Sequence, residues 1–235
     1  MGTMGIAVLS KNIMLSGNDR HLIHFLAPFE RFFLRAVLPW VPLQVSTVHL
    51  TLMTVIWSAG IVIAGYLSAG DMRWLWLFDA CLLMQYMTDM LDGEVGRSRN
   101  TGLIQWGFYM DHFLDYIFLC AAIIGYSFLL PPSYFILVLL CLGLMAGFMV
   151  HTFLDFAITH KFKISMGLFG VSEMRMFLVF LNILLILFGK GLLIGIFPGI
   201  VLGASLLLFF VIYRSQIMYR HIDVVWQAMQ ENQEN

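Results

Sequence analysis

Apolar residues run along the chain in long, nearly unbroken stretches, roughly 47–69, 73–92, 104–129, 132–157, 174–196 and 199–219, separated by short polar or Gly/Pro-bearing breaks. Each is close to the ~20 residues a helix needs to cross the hydrocarbon of a bilayer. The pattern predicts six membrane-spanning helices in one domain, 46–221, with a segment 1–45 before it and a polar tail 222–235 after it. Residues 20–40 have a different texture. Leu22, Phe25, Phe29, Phe32 and Phe33 fall towards one helical face, and His21, His24, Glu30, Arg31 and Arg35 mostly on the other. That arrangement suits a helix lying in the membrane interface, bent or divided at Pro28. The expected fold is an all-α integral membrane protein, a six-helix bundle with an N-terminal interfacial amphipathic helix. Met1 to Asn18 lacks the order of a cleavable signal peptide, so the first span is expected to direct insertion.

Composition agrees with the pattern: 60% of residues are hydrophobic and 11% charged, whereas a soluble domain is about half apolar and roughly a quarter charged. The net charge of −1 hides a strong asymmetry. Lys11, Arg20, Arg31, Arg35, Arg97, Arg99, Lys161, Lys163, Arg175, Arg214 and Arg220 fall on one side of the predicted spans, and Arg73 and Lys190 on the other. The positive-inside rule puts the richer side, and both termini, in the cytoplasm. Cys81, Cys120 and Cys141 lie in apolar runs without metal-ligand spacing and read as packing residues. Gly143/Gly147, Gly191/Gly195 and Gly199/Gly203 form small-xxx-small pairs, which suit close packing within the bundle and, secondarily, a homodimer interface. Membrane lipids are the expected surroundings, and no nucleic-acid partner is expected.

Against this background four aspartates stand out: Asp89 and Asp92 near the end of the second run, Asp111 and Asp115 near the start of the third. Spacings of three and four put each pair on one helical face, so two antiparallel neighbours can turn all four carboxylates towards each other at the cytosolic end. An unpaired charge at mid-bilayer costs about 2.5–3.5 kcal/mol on insertion scales, and four acids together also repel. Positive charge is therefore needed between them. Oxygen ligands without His or Cys at metal-binding spacing favour Mg²⁺ or Mn²⁺ over zinc, and two such ions suit a bound diphosphate. Gly93 lets a phosphate approach the backbone, Arg97 suits a phosphate oxygen near the surface, and Gly107, one turn before Asp111, keeps the facing wall open.

These residues carry a family resemblance. Asp89-x-x-Asp92-Gly93-x-x-Gly96-Arg97 followed by Gly107-x-x-x-Asp111-x-x-x-Asp115 resembles the CDP-alcohol phosphotransferase signature, DxxDGxxAR, a short gap, then GxxxDxxxD. Seven of the eight fixed residues match; Gly96 stands where the family has alanine, and nine residues separate Arg97 from Gly107, one more than usual. Earlier, Ser46-Thr47-Val48-His49-Leu50-Thr51-Leu52 resembles the family's TPNxLTL segment with its proline and asparagine replaced. The resemblance implies transfer of a substituted phosphate from a CDP-linked donor, with CDP-diacylglycerol favoured, to an alcohol acceptor with release of CMP. By similarity, Asp89, Asp92 and Asp111 ligate the metals and Asp115 completes the site and acts as base.

Lys161, Lys163, Glu173 and Arg175 lie near the fourth-to-fifth loop and fit either a polar-acceptor pocket or interfacial anchoring. His112 follows the third motif aspartate, as in the choline and ethanolamine branch of the family. Asp79 falls towards the outer end of its span, where it is expected to face water; Asp155 lies nearer the site's side of the membrane, and His49 and His151 read as packing or interfacial residues. The rival class is an ion-coupled transporter or channel, which also uses intramembrane carboxylates. It calls for acids near the midplane and often for an internal repeat. These acids cluster at one end and no repeat is visible.

Overall fold

The computed structural model describes residues 27–101, 103–159 and 171–234. Among them are seven α-helices and no strand. An 11-residue helix α1, Ala27–Val37, leads through a short 3₁₀ turn, Leu38–Trp40, to α2, Thr47–Ser68; α3, Leu75–Ser98, α4, Ile104–Ser127, and α5, Phe135–Thr159, follow, then α6, Val171–Phe188, and α7, Gly191–Glu234. The helices α2, α4, α5 and α7 are long and apolar enough to cross a membrane, which makes the chain a multi-pass membrane protein. The helix α3 is long enough but carries Asp79, Asp89, Asp92, Glu94 and Arg97. The apolar part of α6, Met174–Phe188, is short.

The start of α2 is fixed by a reciprocal cap in which Ser46 Oγ accepts from the His49 amide and His49 Nδ1 accepts from the Ser46 amide, at 3.4 and 3.1 Å. His49 is therefore a capping residue. Just ahead of it, the Arg99 guanidinium donates to the carbonyls of Val41, Pro42 and Val45, tying the entry to α2 to the end of α3. At the other end, a turn links α2 to α3, and the Arg73 guanidinium beside Asp71 holds that exposed carboxyl below the usual carboxylate range.

The helix α2 is the central post. Both α3 and α4 pack along it, α6 leans on α3, α5 on α4, and α7 on α5. Ile61, Phe78, Leu82, Phe118, Tyr126, Leu181 and Leu185 form the middle of the core. The tightest crossing is between α2 and α4, where a Cβ built on Gly65 would lie 2.4 Å from the backbone of Gly125. This contact, not the predicted small-residue pairs, brings helices together: of those pairs only Gly147 meets a neighbour, Leu208 of α7, while Gly143, Gly191, Gly195, Gly199 and Gly203 face open space.

Several boundaries differ from those expected. The second span was expected to end at 92, but α3 continues to Ser98, so the whole of Asp89 to Arg97 is helical. The fifth and sixth were expected to divide near Pro198. The break instead lies at Gly189, whose φ of +80° is open to glycine and whose amide closes on the Leu185 carbonyl at 2.8 Å, ending α6. Pro198 sits inside α7, a position tolerated where neighbouring helices support the freed carbonyl. The helix also passes residue 221 without interruption, so the tail to Glu234 is helical.

The helix α1 begins near the expected bend, with Pro28 in its first turn. The earlier part of the expected interfacial helix, including Leu22, Phe25, His21 and His24, lies outside the described residues. The side chains of α1 that pack on the bundle lie outside the expected Phe-rich face, and the one expected polar residue among them is Glu30. Leu34, Val37 and Leu38 lie against Leu50, Leu91 and Val95, Phe32 is exposed, and Glu30, expected on the polar face, is buried.

Candidate metal and active site

The aspartates sit where α2 holds α3 and α4 at its N-terminal end. Because both pack on α2 more than on each other, the two helices leave a cleft between them instead of the direct pairing that sequence suggested. Side chains fill it. One carboxylate oxygen from each of Asp89, Asp111 and Asp115 lies within 4.8 Å of the others, a spacing that can hold a metal ion. All three are part-exposed, at 23%, 26% and 27% of their side-chain surface, so the cluster opens to the outside.

Asp92 is the most buried of the four and stands outside this trio. Its Oδ2 accepts from Thr51 Oγ1 at 2.9 Å, and its carbonyl accepts from Thr47 Oγ1 at 3.1 Å. Both threonines lie in the segment resembling TPNxLTL, so that part of α2 orients Asp92. The substitution at Gly96 has a matching physical cause. A Cβ there would lie 3.1 Å from Thr47 Oγ1; with Thr47 in place of the family's proline, Gly96 makes the room that the hydroxyl takes up.

The glycines flanking the acids leave space. A Cβ on Gly107 would meet nothing within 4 Å, and one on Gly93 would meet only the Arg97 guanidinium, at 3.4 Å and beyond. Arg97 is exposed and paired with Glu94 at 2.7 Å, so it stands at the rim on a surface ion pair that competes little with a phosphate.

The residue that sequence reasoning undervalued is Arg175. It is no interfacial anchor: it is 6% exposed, and it donates to Asp89 Oδ2 at 2.9 Å and to Asp115 Oδ1 at 3.2 Å. Its guanidinium carbon lies 5.7 Å from the Tyr86 ring centroid. Gln85, fully buried, adds a longer contact to Asp115 Oδ1 at 3.3 Å, while its own buried Oε1 has no hydrogen-bond partner among the described residues. Tyr86 in turn donates to Glu30 Oε1 of α1 at 2.6 Å. Lys161, Lys163 and the side chain of Glu173 lie outside the described residues. His112 turns its Nδ1 to the Phe108 carbonyl at 2.7 Å and stands 3.7 Å from Asp111.

Two other acids are accounted for away from the cleft. Asp79 does not face water: it is buried and accepts from Asn182 Nδ2 at 2.7 Å, while Tyr126 donates to Asn182 Oδ1 at 2.8 Å. This chain joins α3, α4 and α6. Asp155 accepts a hydrogen bond from Tyr219 of α7 and is absent from the carboxylate trio.

An all-helical membrane bundle with a carboxylate cluster at one end defines a class of intramembrane metal-dependent enzymes and carriers. The family model for CDP-alcohol phosphatidyltransferases matches residues 40–213, and the chain belongs to that family. The family supports a transferase of phospholipid biosynthesis that moves a phosphate-linked group from a CDP-alcohol to an alcohol, and the aspartate trio could hold the divalent metal that such enzymes use. The chain matches no curated protein and no solved structure.

Proposed function

We propose that the chain transfers a phosphatidyl group from CDP-diacylglycerol to a polar alcohol at the cleft between α3 and α4, releasing CMP. The observation that carries this reading is the convergence of Asp89, Asp111 and Asp115 within 4.8 Å on a wall kept open at Gly93 and Gly107. All-carboxylate donors fit Mg²⁺ or Mn²⁺, in all two ions held by Asp89, Asp92, Asp111 and Asp115. A bound divalent ion supplies charge neutralisation of the diphosphate and of the transition state.

The remaining work belongs to the chain's own side chains. Gly93 and Gly107 admit the diphosphate, and Arg97 meets one of its oxygens at the rim. Asp115 accepts the proton of the attacking hydroxyl as that oxygen bonds to the donor phosphorus, and the bond from phosphorus to the CMP oxygen breaks. Its Oδ1 is engaged by Arg175 and Gln85, so the proton goes to Oδ2. Lys161, Lys163, Glu173 and Arg175 are the residues proposed to recognise the polar acceptor. The domain spans 46–221, crosses the membrane six times with α3 and α6 completing the set, and is flanked by an interfacial helix and a polar tail. The site and both termini face the cytoplasm.

The test is turnover and donor binding in Asp115→Asn. The variant is expected to lose at least about 10²-fold in kcat while its affinity for CDP-diacylglycerol stays within about threefold. Activity equal to wild type would remove Asp115 as base. A panel of CDP-donors and alcohols, read as CMP release, assigns the acceptor; CMP release from CDP-aminoalcohols alone would reverse the proposed direction.

A further inference from the structure

We propose that Arg175 is a positioning residue for the carboxylate cluster: its two terminal nitrogens bridge Asp89 of α3 and Asp115 of α4 across the cleft, set their separation, and offset their repulsion. The proposal rests on the reading of these aspartates as metal holders and assigns Arg175 a task beyond the acceptor pocket.

The geometry points to this in three ways. First, one guanidinium serves two helices. Nη1 takes Asp89 Oδ2 and Nη2 takes Asp115 Oδ1, and a rigid planar fork fixes the distance between the oxygens it holds. The backbones of α3 and α4 meet α2 far more than each other, so this side-chain bridge ties their site ends together. Second, the guanidinium is itself braced. It is buried, lies over the Tyr86 ring at 5.7 Å, and Tyr86 is held at its hydroxyl by Glu30 of α1 at 2.6 Å. A charged head placed to find a mobile substrate would be solvated and unbraced. Third, the bridge engages one oxygen each of Asp89 and Asp115, two of the three carboxylates that come within 4.8 Å of one another.

An internal cation that relieves carboxylate repulsion does part of what a metal ion does, so the two effects must couple. Without Arg175 the repulsion stands until a metal arrives, and the metal then stabilises the fold by more. The purified full-length chain in detergent tests this through its melting temperature in EDTA and in saturating Mn²⁺, for wild type, Arg175→Met and Arg175→Lys. Mn²⁺ is expected to raise the Tm of wild type, and to raise that of Arg175→Met by about 3 °C more, with the EDTA value of the variant correspondingly lower. Arg175→Lys keeps the charge but cannot bridge, and is expected to fall between; it carries the same comparison if Arg175→Met does not fold. In parallel, kcat of Arg175→Lys is expected to fall by about tenfold with KM for the CDP-donor within about twofold. Equal lowering of Tm with and without Mn²⁺ overturns the positioning role and leaves the metal reading intact. Absence of any Mn²⁺ effect in wild type overturns the metal reading, and the proposal with it.

Discussion

Thr51 donates to Asp92 Oδ2 from the facing helix, and this bond helps to orient the most buried of the motif aspartates. Thr51→Val keeps the shape and removes the donor, and a lost bond to a charged acceptor costs about 1.5–3 kcal/mol. Mn²⁺ affinity, measured by titration calorimetry, is expected to weaken by about tenfold while the helical circular dichroism is unchanged; unchanged affinity would show that Asp92 is oriented by other groups. The four aspartates were legible in the sequence because an acid in an apolar run has few explanations and their spacing is local. Arg175, Gln85 and Thr51 were not. Each reaches its aspartate from 30 to 86 residues away, a relation that depends on which helices pack together. Arg175 was further masked because a basic residue at a span's end already satisfies the positive-inside rule. Asp79 misled for a similar reason: its depth could be read from sequence, but its partner Asn182, 103 residues on, could not.

Among the helices, the crossing of α2 and α4 at Gly65 and Gly125 sets how closely the two walls of the bundle approach. Any side chain on Gly65 would strike backbone, which cannot swing away. Gly65→Leu is expected to cost at least about 3 kcal/mol, read as a fall in Tm, whereas Gly199→Leu, facing open space, is expected to change Tm little. Equal effects would mean that the crossing relaxes. Hydropathy made the apolar helices visible in their order, and the starts of α2 and α4 fell where expected, but only four of the six expected spans, α2, α4, α5 and α7, are long and apolar enough to cross. The small-residue pairs were less informative, since periodicity reveals that glycines share a face but not what the face meets. The end of α6 was misplaced because Pro198 is the stronger breaker in isolation; in the fold, Gly189 in a left-handed conformation stops the helix and Pro198 is carried within α7. In α1, Glu30 looked like a surface charge because its partner, Tyr86, lies on another helix.

For the molecule as a whole, the proposed orientation makes the turn between α3 and α4 cytoplasmic and that between α6 and α7 external. With the three native cysteines replaced by alanine, Thr101→Cys is expected to resist a membrane-impermeant thiol reagent in intact cells, and Lys190→Cys to react. Labelling of Thr101→Cys alone would invert the topology and move the site to the opposite face. The two helices that hydropathy and length leave out of the spanning set, α3 with its acids and α6 with its short apolar stretch, are the ones joined by the Arg175–Asp89 pair. That pairing has a consequence for synthesis. The ribosome delivers α3 and α4 before α6, so the carboxylates are already waiting when the arginine emerges, and the cost of admitting a guanidinium to the bilayer falls as it finds them. In the proposed six-span arrangement, α6 need not be accepted on hydrophobicity alone, because the earlier part of the chain offers its arginine a partner.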